Sequence, residues 1–243
     1  MRVVRSLAVG LVSVMVLVGC GDGDDDESSQ PGITVAPTST TLSQIQLDKQ
    51  KAQRIVLTAT DVPDYTTDAP DSSDEISPEG QAAFNTCVNN DPLLIALDSD
   101  NDPRGALSPD FSKGDTITIG SSATFAETED QARAAITTLN AASFPACFQR
   151  AIAEELRRDG TVTNVTVTTT KLPALTVGDQ SVGFRSVARF RAGGQSFILN
   201  ADSTFIRTGR ALVLLDFSSV GTAFPAAERS RLATAIAGRM AAA

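Results

Sequence analysis

Ser186-Val187-Ala188-Arg189-Phe190-Arg191-Ala192-Gly193-Gly194-Gln195-Ser196-Phe197-Ile198-Leu199-Asn200-Ala201-Asp202 reads as a β-hairpin. Gly193-Gly194 splits two alternating runs, and glycine takes the positive φ that a two-residue hairpin loop demands. Such a turn sets Phe190 opposite Phe197, Ala188 opposite Leu199 and Ser186 opposite Ala201 on one face. Arg185 then meets Asp202, and Val187 meets Asn200, on the other. The register agrees with itself, because apolar residues face apolar ones and the one acid finds a base. The hairpin extends into a four-strand meander over about 162–171, 182–192, 195–207 and 210–219. Thr208-Gly209 makes the next turn, and a two-residue loop and a three-residue loop there put opposite faces of Val213, Leu215 and Phe217 toward the core. The sequence does not choose between them.

Outward from the meander the pattern turns helical. Asp115 to Phe125 alternates, with Ile117, Ile119, Ser121, Ala123 and Phe125 on one face, and reads as one more strand. Thr128-Glu129-Asp130 caps a helix to about residue 141, whose stripe is Ala132, Ala135, Ile136 and Leu139. Phe144-Pro145-Ala146-Cys147-Phe148 opens another, ending at Arg157-Arg158-Asp159-Gly160 with basic residues in its last turn. Further upstream, Ser43 caps a helix over 44–57 that holds Ile45, Leu47, Val56 and Leu57. Ser77-Pro78 starts a second through Ala82, Ala83, Phe84, Cys87 and Val88, and Asp91-Pro92 a short third. Pro225 to Met240 closes the chain as a helix.

The N-terminus speaks to location. Arg2 and Arg5 precede an apolar run from Leu7 to Val18, too short for a hydrocarbon core that needs about 20 residues. Val16-Leu17-Val18-Gly19-Cys20 resembles the end of a bacterial lipoprotein signal, which implies a signal peptide over 1–19, cleavage, and acylation of Cys20. The membrane would then be met through N-terminal acyl chains, at the outer face of the cytoplasmic membrane or in the cell envelope. Residues 20–43 read as an acidic and Ser/Thr/Pro tether, because Asp22, Asp24, Asp25, Asp26 and Glu27 repel one another and little here can be buried.

With Cys20 acylated, Cys87 and Cys147 remain as a pair outside the cytosol, and a disulfide is expected; two buried free thiols are the alternative. The bond would close a loop of about 60 residues, worth about 4 kcal/mol by chain entropy.

Composition excludes several function classes. The 243 residues carry a formal net charge of -9; without Arg2 and Arg5 the balance is 18 basic against 29 acidic residues, or -11. An acidic chain of this kind has no footprint for nucleic acid. It has no histidine, which excludes a Ser-His-Asp arrangement and the commonest proton-transfer group. Nucleophile elbows, Ser-x-x-Lys pairs, phosphate loops and dinucleotide fingerprints are absent. Glu154 and Glu155 diverge by about 100° on a helix and make a poor acid-base pair. Asp202 with Asp216 is the carboxylate pair left open, against a surface ion pair of Asp202 with Arg185. Asp98, Asp100 and Asp102 begin like a calcium loop, but Pro103 and Pro109 stand where glycine and a bidentate glutamate belong. No catalytic, cofactor or metal residue is assigned.

The order helix, helix, strand, two helices, four-strand meander, helix, with Cys87 in the second helical region and Cys147 beyond Phe125-Ala126-Glu127-Thr128-Glu129-Asp130-Gln131-Ala132, resembles the extracellular sensor-like domain of mycobacterial PknH-type receptor Ser/Thr kinases. That domain also occurs in free-standing actinobacterial lipoproteins. The resemblance implies a ligand-binding module rather than an enzyme, although such domains carry two disulfides and this chain has cysteines for one. The expected partner is a small molecule, a lipid or an envelope protein. The alternatives are an envelope hydrolase using acidic residues and a partner-docking structural lipoprotein. The expected fold is one α+β domain over 44–243, with a mostly antiparallel sheet of about five strands packing its apolar face on helices.

Overall fold

The computed structural model describes residues 42–68, 77–97, 99, 101–158 and 160–243. The signal peptide, Cys20, the tether up to Thr41, Asp98 and Asp100 lie outside the described residues. The elements are α1 (Gln44–Ile55), β1 (Thr66–Asp68), α2 (Pro78–Cys87), α3 (Pro92–Ala96), β2 (Ala106–Leu107), β3 (Asp110–Lys113) and β4 (Ile117–Phe125). They continue with α4 (Glu129–Asn140), α5 (Phe144–Arg158), β5 (Val162–Leu172), β6 (Gln180–Ala192), β7 (Gln195–Thr208), β8 (Ala211–Val220) and α6 (Ala226–Ala242).

Every strand pairing is antiparallel, along the path β1-β3-β4-β8-β7-β6-β5, with β2 paired to β4 as well. The β6–β7 register is the one the sequence dictates: Phe190 opposite Phe197, Ala188 opposite Leu199, Arg185 opposite Asp202. Thr208 pairs with Ala211, so Gly209 and Arg210 form a two-residue turn.

The sheet has eight strands among the described residues, against the five expected. The extra three are β1, β2 and β3, of two to four residues each. Alternation has no room to show itself in runs so short, and Pro109 divides β2 from β3 on the same edge of β4. Ser108 bridges that break by donating its backbone N–H to the Ser121 carbonyl at 2.8 Å, while its hydroxyl accepts the Ser121 N–H at 2.9 Å.

Helices cover both faces of the sheet. On one face α2, α3, α4 and α5 enclose a core with Phe184, Phe190, Phe205, Leu212 and Leu214. On the other, α1 and α6 enclose Phe111, Ile119, Ile206, Val213, Leu215 and Phe217. This dissolves the question of which face of β8 points inward. Leu212 and Leu214 go one way and Val213, Leu215 and Phe217 the other, and both sets are buried. Ala211-Leu212-Val213-Leu214-Leu215 therefore reads as a continuous apolar run, as a central strand covered twice should.

Local signals start the helices as read. Ser43 and Gln46 form a capping box, Thr128 and Gln131 form another, and Ser77 caps α2 ahead of Pro78. The first helix differs in its inward stripe. Asp48, Ala52 and Ile55 are buried while Ile45 and Leu47 stay exposed, and Val56 and Leu57 enter the core after the helix has ended.

Candidate functional site

Cys87 and Cys147 are joined by a disulfide with Cα atoms 5.5 Å apart, closing a separation of 60 residues. The bond staples the end of α2 to the first turn of α5. Glu155 holds the other end of the same helix pair: its carboxylate accepts the Ser77 hydroxyl at 2.5 Å and the Ser77 N–H at 3.0 Å, and Arg158 lies 3.4 Å away. Glu155 is thus a structural anchor for the α2 cap, and its neighbour Glu154 takes no part.

Asp202 and Asp216 do not come together. Asp202 lies opposite Phe217 and Asp216 opposite Ser203, so the pleat sends the two carboxylates to opposite faces of the sheet. Asp216 accepts the Ser203 hydroxyl at 2.8 Å on the side of α2–α5. Asp202 faces α6 and is 1% exposed, not on the surface. It accepts Arg185 at 2.5 and 2.6 Å and Arg229 at 2.6 Å. The sequence pairs Asp202 with Arg185 correctly; Arg229, arriving from a helix 27 residues later, has no signature that links it to this strand.

Two more carboxylates on the same side are clamped by arginines. Asp48 is fully buried and bound by Arg104 at 2.8 Å, Arg210 at 2.8 Å and Gln44 at 2.8 Å. Burial pushes its carboxyl up, but the hydrogen bonds from Arg210, Gln44 and Arg104 outweigh this and hold it below the ordinary range. Asp61 is likewise raised by burial and lowered further by the Thr58 N–H and by Arg239 at 3.0 Å, for a net depression. Asp48 and Asp61 are held ionised as tie points, and Asp202 is clamped between Arg185 and Arg229, an arrangement that suits scaffolding and not proton transfer. Asp102 is buried with Oδ1 accepting the Arg104 N–H at 2.9 Å. Among the described residues no three side chains of metal-ligand type come together.

A cleft of about 380 Å³ opens at the sheet edge where α1 ends. Its floor is Val56, Leu57 and Phe111, its walls are Ala59, Leu107 and Pro109, and its rim is Gln53, Thr58 and Thr67. Ser121 sets the geometry by accepting the Leu57 N–H at 2.8 Å, which fixes the chain leaving α1 against β4. Among the described residues the cleft lining contains no acid, no base and no thiol. Only the buried side of β4 was legible in advance; that the short β2 and β3 wall a cleft was not.

No protein-family model matches this chain, and neither does any curated protein. Function therefore rests on the sequence signals and on this geometry.

Proposed function

We propose that this protein is a lipid-anchored component of the cell envelope whose folded domain binds a ligand without transforming it, in the manner of a PknH-type sensor-like domain. One observation supports the non-catalytic part: among the described residues the cleft is lined by six apolar side chains, two threonines and a glutamine, which offer shape and hydrogen bonds but no group that moves a proton. The apolar floor suits an aliphatic or lipid-like ligand, with Gln53, Thr58 and Thr67 available to orient a polar end. Support for the anchor comes from Arg2, Arg5, the apolar run to Val18 and the Gly19-Cys20 junction.

Native mass spectrometry of full-length protein extracted from its own envelope tests the binding claim. The expected result is a bound apolar mass whose occupancy falls when Ala59→Trp fills the cleft. A ligand-free protein that instead retains a stoichiometric protein partner would replace this reading with a docking role.

A further inference from the structure

The side of the sheet that carries α1 and α6 is only partly covered. α1 lies on β4 and α6 on β7 and β8, while β5 and β6 pack on helices mainly through their opposite face. The bare part has a regular composition. Thr166 is paired with Arg189, Thr168 with Val187 and Thr170 with Arg185, and one step further along β6 comes Arg191. Directly paired residues point to the same face, so hydroxyls on β5 stand beside guanidinium groups on β6, in rows about 7 Å apart. Thr166, Thr168, Thr170, Arg189 and Arg191 are exposed. Ile198 adjoins Arg189 on β7 and is 37% exposed, one of few large apolar side chains so placed.

Charge sets this surface apart from the rest of the molecule. Three of the four basic side chains of residues 162–192, Arg185, Arg189 and Arg191, lie on this face, while Lys171, opposite Phe184, lies on the other, in a chain of net charge -9. Among the described residues the acid on this face is Asp202, which is already shared by Arg185 and Arg229. Arg191 donates to the Gly194 carbonyl at 2.8 Å, which orients it without neutralising it. Arg189 has no ion-pair partner among the described residues.

We propose that this open face binds a carboxylated polysaccharide laid along β6. Guanidinium forks match carboxylates in bidentate geometry, the threonine hydroxyls donate to and accept from sugar hydroxyls, and Ile198 with Val187 gives an aliphatic step for a ring face. No aromatic side chain stands in these rows to stack a base, which argues against single-stranded nucleic acid. A lone isoleucine is too little apolar anchor for a protein hot spot or for insertion into lipid. This surface is separate from the apolar cleft, and its occupancy does not depend on what the cleft holds.

The test uses the full-length chain in detergent micelles, titrated calorimetrically with polygalacturonate and, separately, with uncharged dextran. Polygalacturonate should bind, more weakly as salt rises, and dextran should not. Arg189→Gln with Arg191→Gln should weaken binding by about tenfold or more, as expected for loss of charge-assisted hydrogen bonds. Thr166→Val with Thr168→Val should weaken it less, while Lys49→Gln with Lys51→Gln on α1, which removes the same charge elsewhere, should leave it unchanged. Circular dichroism confirms that each variant is folded. Equal binding of dextran, equal binding by the arginine variant, or binding of poly-glutamate or phosphatidylglycerol vesicles as tight as that of polygalacturonate would each overturn the proposal.

Discussion

Arg229 of α6 donates to Asp202 of β7 at 2.6 Å, with side chains 7% and 1% exposed. The last helix is thereby pinned to the middle of the sheet by a charge pair that also recruits Arg185 from the next strand. Removing one member of a buried pair leaves the other charge uncompensated, which typically costs about 3 to 5 kcal/mol. Asp202→Ala should lower the urea unfolding free energy by that amount, and Arg185→Gln, acting on the more exposed partner, by less. Equal losses for the two would show that Arg229 contributes little.

Acid sensitivity follows from Asp48 and Asp61, whose carboxyls sit lower in the folded protein than their ordinary value of about 3.9. A depressed carboxyl contributes stability that is present above its unfolded pKa and is lost as pH falls through the folded one. Unfolding midpoints should therefore hold steady from pH 7 to about 5 and drop below about 4. With no histidine in the chain, no imidazole adds a transition between. A decline that starts above pH 5 would contradict this assignment.

Reduction of Cys87–Cys147 should cost up to about 4 kcal/mol, the chain-entropy estimate for a loop of this length. The loss should localise. Amide exchange in α2, which the bond ties to α5, should quicken more than exchange in β7 and β8, and uniform acceleration across the sheet would count against a local staple.

Two glycines separate backbone strain from steric clash. Gly193 has φ +57° with nothing within 4 Å of an added Cβ, whereas at Gly178, φ +62°, a Cβ would lie 2.6 Å from the Arg207 carbonyl oxygen. Gly193→Ala should cost about 1 to 2 kcal/mol, the ordinary penalty for a left-handed residue, and Gly178→Ala clearly more. Thermal melts of the two variants that coincide would show that the 207–208 backbone yields.

Much of the fold was legible because its decisive features are local. Gly193-Gly194 and the flanking alternation fix the β6–β7 register to the residue, and Ser43, Ser77 and Thr128 mark helix starts by chemistry that acts within one turn. What stayed hidden depends on partners distant in sequence. Asp48 looks like a solvent-facing residue of an amphipathic helix until Arg104 and Arg210 arrive from elsewhere in the chain. The double burial of β8 runs against the expectation that one apolar face of the sheet packs on helices, although its unbroken apolar run was the clue. Asp202 and Asp216 are both acids on adjacent strands, and only the settled register shows that the pleat parts them. The cleft was least legible, because β2 and β3 are too short to announce themselves.

Intact mass measurement of the protein taken from its own membranes decides the proposal that this domain works outside the cytoplasm on a lipid anchor. The expected species is a chain that begins at Cys20 and carries acyl chains on that residue, with Cys20→Ser releasing the protein from the membrane. A chain that retains Met1, or one that begins at an unmodified Cys20, would contradict it.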